Sequence, residues 1–254
     1  MSRVKTDYIA FLPLLLVLGF CVIVFYKNGN AGVSSSLFDT TKPVASTVLG
    51  DTTVSVPSWE YFKPGNIWSL VSAKHMLALN YAPTLVTTAV EHAPAATQVS
   101  KTAEASLVSL VAAARSSGVD LMLSSAYRSS TDQQTTYNEL LARNGAGYVH
   151  EYVATPGASE HQTGLAVDIA SVTHGCEIDA NACSLDADGI AWLRAYAPTY
   201  GFIERYPSGK QSITGVAGEH WHYRYVGVPL AKALTNAHLT LDEFVQQIAP
   251  AYAR

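Results

Sequence analysis

The sequence lacks any cluster of basic residues. Its 254 residues include 16 lysines and arginines against 20 aspartates and glutamates, which gives a net charge of −4 and a pI near 6.0. The basic residues are scattered along the chain, whereas nucleic-acid-binding domains carry a basic patch or stripe. The charge pattern therefore argues against a nucleic-acid or other polyanion ligand. The chain also lacks an internal repeat, and its length suffices for one sizeable domain with accessory segments.

Cysteine is scarce, with three residues in the whole chain. Cys21 lies in an apolar run, which leaves Cys176 and Cys183 as a pair in a loop-like stretch over residues 174–184. Metal binding by these two thiols is one interpretation, but their spacing is not the two-residue spacing typical of zinc knuckles. A local disulfide that pins an inserted loop fits better, and such bonds indicate an exported protein.

Long apolar stretches are missing except at the N-terminus. Residues 8–26 carry no charge and are flanked by Arg3, Lys5 and Lys27. As a helix this run is just long enough to cross a hydrocarbon core of about 30 Å. A signal peptide is the alternative, but its apolar core is usually only about 7–15 residues long. We therefore predict an uncleaved transmembrane anchor over residues 1–27, with a cytoplasmic N-terminus and an extracytoplasmic body, because positive residues precede the span.

Aromatic residues are almost absent from residues 28–58, which are rich in serine, threonine, glycine and valine. This composition predicts a flexible linker that carries the body away from the bilayer. Aromatic density rises abruptly at Trp59, so the folded domain is predicted over residues 59–254.

Local patterns predict a mixture of helices and strands in this domain. Alanine, leucine and valine recur at helical spacing over residues 100–117, and residues 119–125 alternate as a strand does. Residues 130–133 resemble a capping box, which would open a helix that ends at residues 144–145. A second capping box is predicted at residues 240–243, near the C-terminus.

Two short stretches carry the residues that could perform chemistry. The first is SEHQTGLAVD at residues 159–168, and the second is EHWHYR at residues 219–224. Together they offer three histidines, an aspartate and two glutamates. A hydrolytic zinc site needs three protein ligands, an open position for water and a carboxylate that takes the proton of that water. The two stretches therefore predict metal-assisted hydrolysis, most naturally of an amide bond.

Strand geometry leaves the arrangement of these residues open. His161 and Asp168 lie seven positions apart, so on one regular strand they face opposite sides unless the chain bends at residues 162–164. In the second stretch the glutamate alternates with the two histidines. Either both of those histidines face the metal, or the glutamate reaches the site from the end of the strand or through a kink.

Arg128 lies in the connector between the predicted strand at residues 119–125 and the next helix, and such loops often present active-site groups. An arginine there could hold a substrate carboxylate through two hydrogen bonds or stabilise an oxyanion. A surface arginine without a role is the alternative interpretation.

The pattern S-x-H-x-x-G-x-A-x-D followed by E-x-W-H-x-R resembles the zinc D-alanyl-D-alanine carboxypeptidases of the VanY type. The resemblance covers roughly residues 68–230, and it extends to residues 125–129, 156–161, 200–207 and 221–227. It implies a compact α+β domain with a central antiparallel sheet flanked by helices, as in the Hedgehog and D,D-peptidase group. It also implies one zinc ion per chain.

Matching positions imply a role for each candidate site residue. By this resemblance, His161, Asp168 and His222 bind zinc, Glu219 is the general base, Arg128 polarises the scissile carbonyl or stabilises the oxyanion, and Ser159 and Gln133 line the substrate pocket. His220 stands where relatives commonly have proline. This departure removes no ligand, and the loop between the two cysteines is a further difference that could alter substrate access.

The resulting hypothesis is a membrane-tethered carboxypeptidase outside the bacterial cell membrane that removes the C-terminal D-alanine from peptidoglycan stem peptides. Tethering fits this substrate because a linker raises the local enzyme concentration at the wall. Alternatives are an L,D-carboxypeptidase, an endopeptidase that cuts the cross-bridge, and a non-catalytic wall-binding protein that uses zinc only to fold. Glu219 argues against the last, because a structural zinc site normally has four protein ligands and needs no base.

Overall fold

The computed structural model describes residues 33–34, 45–49, 52–56, 58–172 and 184–250. The predicted anchor over residues 1–27 and the predicted disulfide between Cys176 and Cys183 lie outside these residues. Within the described ranges, no helix has both the length and the apolar character that crossing a membrane requires.

Strands and helices are numbered along the chain. The strands are β1 (Val33–Ser34), β2 (Ala45–Leu49), β3 (Thr52–Val56), β4 (Leu85–Thr87), β5 (Gln98–Ser100), β6 (Leu121–Ser125), β7 (Ala166–Ser171), β8 (Phe202–Tyr206) and β9 (Glu219–Tyr225). The helices are α1 (Glu104–Ser116), α2 (Ser130–Tyr152), α3 (Ala187–Tyr196), α4 (Gln211–Thr214), α5 (Val228–Ala237) and α6 (Leu241–Ile248). Short 3-10 helices occupy Trp59–Phe62, Glu160–Thr163 and Ala197–Tyr200.

An antiparallel sheet of four strands forms the centre of the domain, with strand order β6-β7-β9-β8. Every residue of β7 is buried, as expected for a strand that is covered on both faces. Two smaller antiparallel sheets consist of β1-β2-β3 and β4-β5. Antiparallel sheets combined with separate helices agree with the predicted α+β class.

One face of the central sheet packs into an apolar core. Val167 and Ile169 of β7 lie in this core together with Phe202 of β8 and with Leu107 and Leu110 of α1. The two leucines are fully buried, and burying one such side chain contributes about 1.5–3 kcal/mol to folding. This face therefore supplies stability and contains no candidate ligand.

Residues that alternate with this apolar set point to the opposite face. Asp168 pairs with His222 in the β7–β9 ladder, and Arg224 lies two positions further along β9. All three are buried despite their polarity. Helices α5 and α6 contribute a second apolar core, which contains Leu230 and Phe244. The pleat of two neighbouring strands thus collects the polar motif residues on one face.

The prediction of a flexible linker over residues 28–58 is wrong for β2 and β3. These strands pair as an antiparallel hairpin, and Leu49, Val54 and Val56 are buried in the second core, with which α5 also packs. Threonine and valine favour strands, and alternation of apolar with polar residues gives β3 one face for the core. Composition alone concealed this alternation, so the folded part of the chain begins before Trp59.

The helix boundaries follow the predicted signals with one shift. Helix α2 is capped by Ser129 and Asp132, one residue earlier than the predicted box. The backbone of Gly145 is not helical, with φ of 84° and ψ of 171°, so it divides the range Ser130–Tyr152 into two helical segments, and the predicted end at residues 144–145 is confirmed. The capping box of Thr240 with Glu243 is confirmed at the start of α6.

Candidate active site

The structure brings His161, Asp168 and His222 together. One ligand atom from each residue lies within 4.8 Å of the others, and all three residues are buried. His161 Nε2 is 3.2 Å from Asp168 Oδ2, and His222 Nδ1 is 3.0 Å from Asp168 Oδ1. Two imidazole nitrogens and a carboxylate oxygen at these separations form the kind of three-ligand set that catalytic zinc sites use, with a fourth position left for water.

A sharp bend between His161 and Asp168 makes this approach possible. The chain forms a 3-10 helix over Glu160–Thr163, and Gly164 follows in the left-handed region with φ of 65°. A Cβ atom on Gly164 would lie 2.8 Å from the backbone nitrogen of Ser100, so this position has no room for a side chain. The bend predicted at residues 162–164 is therefore confirmed.

An irregularity in β9 decides the arrangement of the second motif. Glu204 of β8 pairs with Tyr223, but Tyr206 pairs with Glu219, so β9 has two extra residues between these pairs. The irregularity places Glu219 Oε2 3.7 Å from His222 Nδ1. His220 does not join the described metal-binding group. Of the two alternatives left open by strand geometry, the second is observed, because Glu219 reaches the site from the first position of β9, next to the irregularity.

The environment of Glu219 suits proton transfer. Burial raises the pKa of this carboxyl to about 7, with Asp168 adding to the rise while His222 and Arg128 oppose it. A group with a pKa near neutrality can both take and return a proton at neutral pH. A bound cation would pull this pKa downward, because it favours the ionised carboxylate.

Hydrogen bonds select one nitrogen of each histidine for the metal. His161 Nδ1 lies 2.6 Å from the backbone oxygen of Ala126, which can only accept, so Nδ1 carries the hydrogen and Nε2 faces Asp168. His222 Nε2 lies 3.4 Å from Glu160 Oε2, which leaves Nδ1 toward Asp168 and Glu219. The two rings would therefore bind a metal through different nitrogens.

Protonation of His222 competes with metal binding. Burial lowers the pKa of this imidazole, but the hydrogen bonds to Asp168 and Glu160 outweigh burial and raise the pKa to about 9. Because a metal ligand must be deprotonated, binding of a metal at Nδ1 would release a proton from His222 near neutral pH.

Arg128 lies beside the three-ligand group, in the loop between β6 and α2. Its Nη2 atom is 3.9 Å from Asp168 Oδ2, and its backbone nitrogen donates to the backbone oxygen of His161. The side chain is 23% exposed, and its buried Nε has no hydrogen-bond partner among the described residues. The guanidinium therefore keeps donors available for an anionic group next to the metal position.

Ser159 and Gln133 are both buried polar residues. Ser159 precedes the 3-10 helix that carries His161, and its hydroxyl makes no capping hydrogen bond. Gln133 Nε2 donates to the backbone oxygen of Ala154, while Oε1 has no partner in the described part of the chain. Contact of these two residues with substrate stays a prediction.

A buried charge cluster next to the ligands was missed by sequence reasoning. Glu160 Oε1 accepts hydrogen bonds from Arg205 Nε at 2.7 Å and from Arg224 Nη1 at 2.9 Å. Burial alone would raise the pKa of Glu160, but the two arginines hold it well below its usual range. The position of Glu160 immediately before His161 was the one available signal, since its partners lie 45 and 64 positions away.

The sequence pattern of one family matches this chain over more than half of its length. It is the VanY family, described as D-alanyl-D-alanine carboxypeptidase, and it matches residues 96–228. The chain belongs to this family. Membership makes it a zinc-dependent metallopeptidase, in agreement with the buried three-ligand set.

Individual relatives support the VanY assignment. YodJ of Bacillus subtilis is 38% identical over 190 residues, which cover 73% of this chain and 69% of YodJ. VanXYC of Enterococcus gallinarum, a bifunctional D-Ala-D-Ala dipeptidase and D-Ala-D-Ala carboxypeptidase, is 39% identical over 132 residues, which cover 51% of this chain and 68% of VanXYC.

Solved structures of the VanY group share the fold. The LdcB LD-carboxypeptidase superposes with a TM-score of 0.65 at 38% identity and covers 73% of this chain and 88% of its own. VanYB in complex with D-alanine-D-alanine gives a TM-score of 0.61 at 32% identity and covers 70% of this chain and 97% of its own. A VanY D,D-pentapeptidase from a VanB-type resistance cassette has been solved in complex with Zn(II).

Proposed function

We propose that this VanY-family enzyme removes the C-terminal D-alanine from peptidoglycan stem peptides. The observation that carries the proposal is the position of Glu219, whose carboxyl lies 3.7 Å from the metal-facing nitrogen of His222. A structural zinc site needs no such group, whereas hydrolysis needs a base beside the metal-bound water.

Each residue of the site has a role in this reaction. His161, Asp168 and His222 would hold zinc, which supplies a water of lowered pKa and polarises the scissile carbonyl. Glu219 takes a proton from the attacking water and returns it to the leaving amine of D-alanine. Arg128 stabilises the negative charge that develops on the carbonyl oxygen, since its free donors lie beside Asp168.

Two buried polar groups fit the terminal residue of the substrate. The hydroxyl of Ser159 can donate to a carboxylate, and Gln133 Oε1 can accept from a peptide N–H. Recognition of a free terminal carboxylate is what separates a carboxypeptidase from an endopeptidase that cuts the cross-bridge.

An L,D-carboxypeptidase is the second candidate. It is favoured by the likeness to the LdcB LD-carboxypeptidase, which reaches 38% identity against 32% for VanYB. The two activities differ in the chirality of the residue before the scissile bond, so they are separated by substrate and not by the metal site.

The catalytic domain is proposed to work outside the cytoplasmic membrane, tethered by the apolar run at residues 8–26. The substrate supports this location, because peptidoglycan lies outside the membrane. Tethering would keep the enzyme at a high local concentration next to the wall.

Product analysis by mass spectrometry tests the proposed activity. The full chain is purified in detergent, because a truncation at residue 59 would remove the β2–β3 hairpin. It is then incubated with pentapeptide and tetrapeptide stems, with and without a chelator. We expect chelator-sensitive loss of one D-alanine from the pentapeptide, and full recovery when zinc is restored.

Two other outcomes would change the assignment. Trimming of the tetrapeptide alone would move the enzyme to the L,D class. Cleavage of neither stem by a chain that contains zinc would overturn the carboxypeptidase proposal, and cross-linked dimeric stems would then test the endopeptidase alternative.

A further inference from the structure

Glu160 is the most enclosed carboxylate of the described site. Its side chain is completely buried, yet it contacts three groups that can carry positive charge. Oε1 accepts from Arg205 and Arg224, and Oε2 lies 3.4 Å from His222 Nε2. Burying a carboxylate costs free energy unless the carboxylate is paired. Here both oxygens of Glu160 have partners, and these contacts hold the oxygens in defined positions.

Both arginines are themselves fixed by further contacts. Arg205 Nη1 donates to Asp242 Oδ2 of α6 at 2.6 Å. Arg224 Nη2 donates to three backbone oxygens of the segment before β4, at 3.1 Å for Asn66, 3.2 Å for Ile67 and 3.2 Å for Ser69. The carboxylate is therefore tied to β8, β9, α6 and an N-terminal segment of the domain.

The two histidine ligands are oriented by different means. The ring of His161 donates to a backbone oxygen, that of Ala126, and no side-chain substitution removes this acceptor. The second nitrogen of His222 faces a side chain, and that side chain belongs to the residue directly before the other histidine ligand. The orientation of His222 thus depends on a group that a substitution can remove.

We propose that Glu160, held between Arg205 and Arg224, is the positioning residue that keeps Nδ1 of His222 as its metal-binding atom. The carboxylate accepts the Nε2 hydrogen, which leaves the lone pair of Nδ1 facing Asp168. This inference rests on the proposed zinc-dependent function. Removal of such an outer carboxylate typically weakens metal binding about 10- to 100-fold.

Zinc affinity in the full-length protein tests the proposal. Glu160→Gln removes the charge but keeps a similar shape; the two arginine donors hold its amide oxygen, so its NH2 group faces Nε2 of His222 and cannot accept the hydrogen there. Glu160→Asp keeps the charge but withdraws it from His222. Zinc affinity is measured by competition with a chromophoric chelator, and the visible absorption spectrum of the cobalt-substituted protein reports the ligand geometry. We expect Glu160→Gln to bind zinc about 10- to 100-fold more weakly and to alter the cobalt spectrum.

Two control variants separate positioning from stability. Glu204→Gln removes another carboxylate of β8, which pairs with Arg194 away from the ligands, and should leave zinc affinity unchanged. Leu110→Ala weakens the apolar core on the other face of the sheet, so it should lower the melting temperature without changing zinc affinity.

Wild-type zinc affinity and an unchanged cobalt spectrum in Glu160→Gln would overturn the proposal. If Glu160→Gln yields no soluble protein, Glu160→Asp tests the proposal instead. Weaker zinc binding by Glu160→Asp would support the proposal, and wild-type zinc affinity would overturn it. A wild-type chain that binds no zinc would instead overturn the proposed function itself, so the two failures are distinguishable.

Discussion

The two faces of the central sheet bury different kinds of side chain, apolar on one and charged or polar on the other. On one face, Val167 and Ile169 of β7 pack into an apolar core with the leucines of α1. On the other face, the alternating residue Asp168 of the same strand meets two histidines. Apolar packing tolerates substitutions of similar volume, whereas buried charges tolerate only partners that satisfy them. Within β7, the residues that stabilise the fold and the residue that joins the metal-binding group thus lie on opposite faces of one strand.

The largest effect should come from the polar face. Glu219→Gln keeps the size of the side chain but cannot accept a proton, so the rate of D-alanine release should fall about 100- to 10,000-fold. Zinc content should stay near the wild-type value, because Glu219 is not one of the three ligands. The measurements are the initial rate on the stem peptide and bound metal per chain, with Glu204→Gln as a control expected to retain activity. A variant that retains full activity would remove Glu219 from the mechanism.

The apolar face should respond in the opposite way. Leu110→Ala creates a cavity in the core and should lower the free energy of unfolding by about 2–5 kcal/mol. The rate per folded, zinc-loaded molecule should not change, because Leu110 lies in the apolar core that packs on the other face of the sheet. Chemical denaturation and a rate measured well below the melting temperature check both parts. The same substitution at Leu141, which is 38% exposed, should cost much less.

Acid should destabilise the polar face selectively. The pKa of Glu160 is lowered in the folded state, so its contribution to stability is complete above the ordinary value of 4.5 and is lost as the pH falls below that value. Each pH unit below this point should cost up to about 1.4 kcal/mol for this group. Melting temperatures of the chelator-treated protein between neutral and acidic pH measure the slope. Glu160→Gln should show a shallower slope than Glu204→Gln, and equal slopes would contradict the assignment.

The smallest effect is expected for the N-terminal cap of α6, the helix whose Asp242 pairs with Arg205. Thr240→Ala removes the cap of this helix and should reduce stability by about 1 kcal/mol. Zinc affinity should not change, because the cap lies outside the charge cluster. Thermal denaturation beside Thr235→Ala, an exposed threonine of α5, provides the matched measurement. A large loss of zinc affinity in Thr240→Ala would show that the polar face extends to the helix cap.

Sequence reasoning was accurate where a signal is local. The glycine at position 164 and the separation of His161 from Asp168 were enough to indicate where the chain has to bend. The resemblance to the VanY type implied which residues meet at the metal position, whereas spacing alone left their arrangement open. It was wrong about β2 and β3, because a composition rich in serine and threonine hid an alternation that buries Val54 and Val56. The anchor at residues 1–27 and the disulfide stay predictions.

The sequence by itself determined the residue types that can hold zinc and move a proton, since these depend only on side-chain chemistry and on spacing within two short motifs. The resemblance implied Glu219 as the base, but only the tertiary structure decided how Glu219 reaches the site, because the irregularity of β9 is set by its pairing with β8. The structure alone also revealed Glu160 between two arginines. Partners that far apart in the chain meet only when strands from different parts of the sequence are laid side by side, and no local pattern encodes that meeting.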